Sequence, residues 1–112
     1  MQDYISMLKG NLQEPLKEGM IISNEPGIYR TGQYGIRIEN LILVKQATHE
    51  DFLEFETISL VPLESRLIDA TMISAEERMW VNNYHPKIGK KLLPHINDGV
   101  IKNYLLAKIK PI

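Results

Sequence analysis

Gly35-Ile36-Arg37-Ile38-Glu39-Asn40-Leu41-Ile42-Leu43-Val44-Lys45 reads as one long extended strand, rich in β-branched and aliphatic residues. Side chains alternate, so Ile36, Ile38, Asn40, Ile42 and Val44 share one face, and Arg37, Glu39, Leu41 and Leu43 share the other. Both faces are largely apolar, which predicts a strand covered on both sides, with Arg37 and Glu39 pointing where their charges must be satisfied. Upstream, Met20 to Glu25 reads as a second strand that stops at Pro26-Gly27, since proline cannot donate to a ladder and glycine readily takes turn dihedrals. The connection from Tyr29 to Tyr34, containing Thr31-Gly32, is short enough to return the chain antiparallel. Glu25 and Glu39 can therefore approach each other across neighbouring strands.

Outward from this pair, Gln46 to Asp51 is a polar turn and Phe52 to Val61 a third strand ending at Pro62. Asn11 to Gly19 reads as a loop leading into the sheet. Met1, Tyr4, Ile5 and Leu8 fall at helical spacing, which predicts a short helix stopping at Gly10. Past the sheet, Ser74-Ala75-Glu76-Glu77 has the serine and glutamate of a capping box. Trp80, Tyr84, Ile88, Leu92 and Ile96 follow at steps of four, as on an amphipathic helix. Pro86 removes a donor inside that pattern, which predicts a kink or break near His85. A last helix is expected over Gly99 to Ile109, started by Asn97 or Asp98 and closed before Pro111. The implied fold class is α+β, with a sheet region over residues 1–63 and a helical extension over 64–112.

Bulk properties narrow the chemistry. The chain has 112 residues, a net charge of −1 and no cysteine, so disulfides, thiolate catalysis and zinc–thiolate sites are excluded. Any metal here must be held by oxygen or imidazole. Residues 1–85 carry seven basic and thirteen acidic side chains, whereas residues 86–112 carry six lysines and a single acid, Asp98. Those lysines are spread through a helical pattern, with no arginine and Tyr104 as the one aromatic among them. That reads as a solvated helix face, and no nucleic-acid partner is expected. The longest apolar stretches, such as Leu41 to Val44, fall far short of the roughly 20 residues that span a bilayer. With no basic-then-apolar leader pattern at the N-terminus, the expectation is a cytoplasmic protein with no membrane partner.

Two carboxylates forced together repel, and one takes up a proton unless cations intervene. On spacing alone, the ordinary reading of Glu25 is a loop residue near a turn, and of Glu39 with Arg37 a buried ion pair without metal. The local words add to this. Asn24-Glu25-Pro26-Gly27-Ile28-Tyr29 and, at the right distance, Gly35-Ile36-Arg37-Ile38-Glu39-Asn40 resemble the last part of the catalytic domain of the Xaa-Pro aminopeptidases, the pita-bread metallopeptidases. Phe55-Glu56-Thr57, Leu60-Val61-Pro62, Arg66-Leu67-Ile68-Asp69, Trp80 and Tyr84-His85 resemble that family's C-terminal extension, so the likeness covers roughly residues 12–96. It implies a partial pita-bread antiparallel sheet followed by a helical extension. It also implies a two-metal centre of manganese, zinc or cobalt, in which Glu25 binds one ion and assists proton transfer while Glu39 bridges both. Arg37 and Tyr29 would orient the site. Such ions polarise the scissile carbonyl of a peptide with proline at its second position.

The chain also departs from the family pattern. The family's two aspartate ligands and its histidine ligand precede the position of Asn11, and residues 1–10, Asp3 included, match none of that motif. His49, His85 and His95 lie where the family places no ligand, and surface or structural roles are expected for them. With two of five ligands, weak metal binding or none, and no hydrolysis, is expected of the lone chain. The alternative is a catalytically silent assembly module. Sheet edges and apolar faces left uncovered favour pairing with a second copy, so a homo-oligomer is expected.

Overall fold

The computed structural model describes residues 4–5, 15–49 and 51–112. The chain divides into two compact units, residues 1–59 and 60–112.

The first unit is built on a long antiparallel hairpin. Its strands are β1 (Tyr4–Ile5), β2 (Ile21–Asn24), β3 (Gly27–Arg30), β4 (Tyr34–Arg37), β5 (Asn40–Gln46) and β6 (Leu53–Thr57). They form two three-stranded sheets, ordered β1-β3-β4 and β2-β5-β6. The register is the same in both: Asn24 stands opposite Asn40 and Gly27 opposite Arg37, with two residues on each strand between them. Across that gap Ile38 N–H still donates to Pro26 C=O at 3.1 Å. Pro26 has no N–H to return the bond, and the ladder lapses there. The expected single strand over 35–45 is thus two strands in two sheets, interrupted at Ile38-Glu39. The expected connection from Tyr29 begins only at Thr31, because residues 27–30 form β3. The turn itself is a three-residue loop with Gly32 at φ +72° and Gln33 N–H bonded to Arg30 C=O at 3.0 Å.

Two other expectations change. Tyr4–Ile5 pairs antiparallel with Ile28 and Tyr29, so the backbone there is strand and not helix. The other residues of that expected helix lie outside the described ones. Nor is the hairpin covered on both faces: Ile36 is 62% exposed, Ile38 50% and Leu41 45%.

Residues 60–112 form a helical unit. Ser74 caps α1 (Ala75–Leu92) through the expected capping box, with Glu77 N–H on Ser74 Oγ at 3.1 Å and Ser74 N–H on the Glu77 carboxylate at 2.8 Å. Asp98 caps α2 (Gly99–Lys108) by accepting from Val100 and Ile101. Tyr84, Ile88 and Leu105 make the core, with Leu60, Leu63, Leu92, Leu93, Ile96 and Ile109 packed around it. The expected break at Pro86 does not occur, and α1 is continuous through it. A proline costs the helix one donor, while the buried neighbours Tyr84, His85, Ile88 and Gly89 anchor the turns on either side of it. Asn82 holds the C-terminal segment at both backbone groups of Ile112, and buried His85 meets Lys110 C=O through Nδ1 at 3.2 Å. Both helices contain no stretch long and apolar enough to cross a membrane.

Candidate functional site

The hairpin register places Glu25 opposite Glu39 and Pro26 opposite Ile38. Ile38 N–H bonded to Pro26 marks Pro26 and Ile38 as the hydrogen-bonded type of pair, so Glu25 and Glu39 form the other type, in which facing side chains are closest. Alternation then puts Ser23, Glu25, Gly27 and Tyr29 on the same face as Gly35, Arg37, Glu39 and Leu41. Like charges directly opposed across strands are unfavourable. Arg37, one diagonal step from Glu25, answers both. Its Nη1 donates to Glu25 Oε2 at 3.0 Å and its Nε lies 3.3 Å from Glu39 Oε2. The side chains of Arg37, Glu25 and Glu39 are 49%, 32% and 45% exposed, so this is a half-open cluster and not the buried ion pair that the sequence suggested.

Two features of the cluster were not anticipated. Ser23 Oγ donates to Glu25 Oε1 at 2.6 Å and fixes the carboxylate from the side away from Arg37's contact. Its place two residues before Glu25 on one strand was the available signal. Tyr29 lies across two glycines of its own face. A Cβ on Gly35 would fall 2.7 Å from Tyr29 Cδ1, and one on Gly27 would fall 2.8 Å from the Tyr29 hydroxyl. The two glycines make a slot that lets the ring lie flat along the ribbon, on the face that carries Arg37. The expected residues Glu25, Arg37, Glu39 and Tyr29 are therefore gathered on one surface. The histidines are not: His85 belongs to the helical unit's interior, and among the described residues neither it nor His49 or His95 joins a group of three or more potential ligands.

Residues 2–46 match the model of metallopeptidase family M24, and residues 51–112 match that of the C-terminal region of peptidase M24. The chain belongs to the M24 metallopeptidase family. Within it, the chain corresponds to the C-terminal part of an aminopeptidase P. It is 40% identical to a probable Xaa-Pro aminopeptidase P of Coprinopsis cinerea, over 87% of this chain and 17% of that protein. It is also 40% identical to Xaa-Pro aminopeptidase 1 of Dictyostelium discoideum, over the same shares, and 34% identical to aminopeptidase P2 of Arabidopsis thaliana, over 96% and 16%. The chain thus spans about one sixth of the length of the curated relatives it matches. Among solved structures, an X-prolyl aminopeptidase of Caenorhabditis elegans, described as a cytosolic enzyme with a di-nuclear active site, superposes with a TM-score of 0.77. That match has 31% identity and covers 87% of this chain and 17% of the other. The α+β architecture, antiparallel sheet then helices, is accordingly a partial pita-bread fold.

The M24 assignment raises the question of metal. Glu25 and Glu39 are hard oxygen donors of the kind that divalent ions accept. They do not amount to a complete centre, since among the described residues no group of three or more histidine, cysteine, aspartate or glutamate side chains could hold an ion.

Proposed function

We propose that this chain carries the two-glutamate part of a metal-dependent Xaa-Pro aminopeptidase, with Glu25 and Glu39 as metal ligands and Arg37 and Tyr29 as orienting groups. The supporting observation is the direct opposition of Glu25 and Glu39 across the hairpin, on the face that carries Arg37 and Tyr29. Two divalent ions, of manganese, zinc or cobalt, would supply Lewis-acid polarisation of a peptide carbonyl once a full ligand set held them. The chain's own residues hold and orient that charge: Ser23 and Arg37 fix Glu25, and Arg37 balances Glu39. The substrate class under this reading is a peptide with proline at its second position, handled in the cytoplasm. With two ligands of its own, the chain hydrolyses such a peptide only when the remaining ligands are supplied. The test is manganese titration calorimetry on the 112-residue chain beside an Xaa-Pro peptidase assay. Weak binding that disappears in Glu39→Gln, without turnover by the lone chain, is expected. Binding indifferent to both Glu25→Gln and Glu39→Gln removes the ligand assignment.

A second reading, a catalytically silent assembly module, is favoured by the open apolar side of the same hairpin. Ile28 and Ile36 stand opposite each other there at 47% and 62% exposure, beside Tyr34 at 48%. A second copy of the chain would cover that surface. Sedimentation over a hundredfold concentration range separates the two, since a metal-independent dimer that Ile36→Lys dissociates supports assembly.

A further inference from the structure

The ligand assignment leaves open what balances the two carboxylates. Of their four oxygens, the described residues engage three. Glu25 Oε1 takes Ser23 Oγ at 2.6 Å, Glu25 Oε2 takes Arg37 Nη1 at 3.0 Å, and Glu39 Oε2 faces Arg37 Nε at 3.3 Å. The fourth, Glu39 Oε1, receives no hydrogen bond from a described residue. Each glutamate uses a different nitrogen of one guanidinium, so a single positive charge spans the pair. That arrangement is the electrostatic task a bridging cation performs, carried out by a side chain.

We infer that Arg37 is the resident cation of the Glu25–Glu39 pair and competes with a divalent ion for the same two Oε2 atoms, so that it sets the pair's affinity for metal. This rests on the assignment of both glutamates as ligands; in the lone chain Arg37 acts as the ion's rival, and its orienting role belongs to the complete ligand set. The competition follows from geometry and charge. A hard ion needs its oxygens at about 2.0–2.6 Å, closer than either guanidinium nitrogen stands. An ion at that distance from both Oε2 atoms takes the space and the lone pairs that Nε and Nη1 use. The guanidinium can yield, because Arg37 is half-exposed and surface ion pairs of this kind are weak. Its grip is also uneven, with a hydrogen bond to Glu25 and a looser ion pair to Glu39.

The sign of one measurement decides the matter. A residue that only buttresses the ligands lowers metal affinity when it is removed, whereas a competing cation raises it. Manganese binding to the full chain is followed by the electron paramagnetic resonance of free Mn²⁺, for wild type, Arg37→Gln, Arg37→Lys and the double variant Arg37→Gln with Glu39→Gln. Competition predicts about five- to tenfold tighter binding in Arg37→Gln, given two weak ion pairs removed. It also predicts little gain in Arg37→Lys, which keeps the charge, and loss of the gain in the double variant. Affinity in Arg37→Gln that equals or falls below wild type overturns the inference. If Glu39→Gln nevertheless weakens wild-type binding, the ligand assignment survives that result, and if Glu39→Gln changes nothing, the assignment falls too. Should Arg37→Gln fail to fold by circular dichroism, the Arg37 Nε–H resonance of the wild-type chain decides. Titration with diamagnetic Mg²⁺ shifts it and hastens its exchange with water if Arg37 is displaced, and a resonance unmoved at saturation overturns the inference.

Discussion

The two units of this chain solve opposite problems. In the helical unit, Tyr84, Ile88 and Leu105 close a core, both helix starts are capped, and the C-terminal segment is tied down at Asn82 and His85. In the sheet unit, Val44 alone among the described hydrophobic residues is fully buried, while isoleucines and a charged cluster lie open along the hairpin. A region that buries its apolar groups spends its side chains on stability, and one that leaves them half-exposed keeps them available to an ion or another surface. Shared ancestry does not require the two units to be equally sturdy, and the proposed ligands Glu25 and Glu39 stand in the less buried one.

The largest effect should separate the units most sharply. Ile88→Ala removes a fully buried side chain from the helical core and should cost about 3 kcal/mol, whereas Ile36→Ala on the open hairpin should cost about 0.5 kcal/mol or less. Urea unfolding of both variants by circular dichroism measures the difference. Equal losses would mean that the hairpin face is covered in solution, and the contrast would dissolve. Next in size is Asn82→Ala, which frees both backbone groups of Ile112 at a cost of about 1–2 kcal/mol. Amide exchange should quicken at Ile112 while the strand amides of β5 keep their protection. Loss of β5 protection as well would show that the two units unfold together.

How much of this was legible beforehand depends on what kind of signal each feature leaves. The capping box at Ser74 and Glu77 is a local pattern and could be read directly. The second cap was legible only as Asn97 or Asp98, and of the expected stripe on α1 Tyr84 and Ile88 are buried whereas Trp80 is 43% exposed. The approach of Glu25 to Glu39 was legible from a short turn and two strands. The lapse at Ile38-Glu39 was not, because its cause is Pro26 on the neighbouring strand, and alternation within one strand carries no trace of that. Continuity through Pro86 was hidden for a similar reason: the penalty is written in the sequence, but the packing that outweighs it is tertiary. Apolarity on both faces of residues 35–45 showed what could be covered and not what covers it. The double grip of Arg37 required the register, since only opposite pairing sets one guanidinium beside two carboxylates.

The smallest effect concerns an ion-pair cluster in the helical unit that mirrors Arg37 with the signs exchanged, one carboxylate serving two cations. Glu64 caps the turn at Ser65–Leu67, bonds Arg66 Nε and Nη2 at 2.9 and 3.1 Å, and meets Lys108 at the end of α2. Arg66 first, and then Lys108, hold its carboxyl down from 4.5 to about 2. In the unfolded chain the same group takes its proton near 4.5, so the cluster's contribution is complete above that pH. It is lost as pH falls from there toward 2, because the unfolded chain binds the proton first. Glu64→Gln should therefore unfold more easily than wild type at pH 7, with the two converging as pH approaches 2. The difference should shrink in high salt, because the groups are partly exposed. Trp80, the sole tryptophan and stacked on Tyr84, reports this unit alone by fluorescence. Wild-type and variant curves that stay parallel from pH 7 to 2 would show that Glu64 contributes nothing through its charge. The stability of the helical unit would then rest on its apolar core and caps.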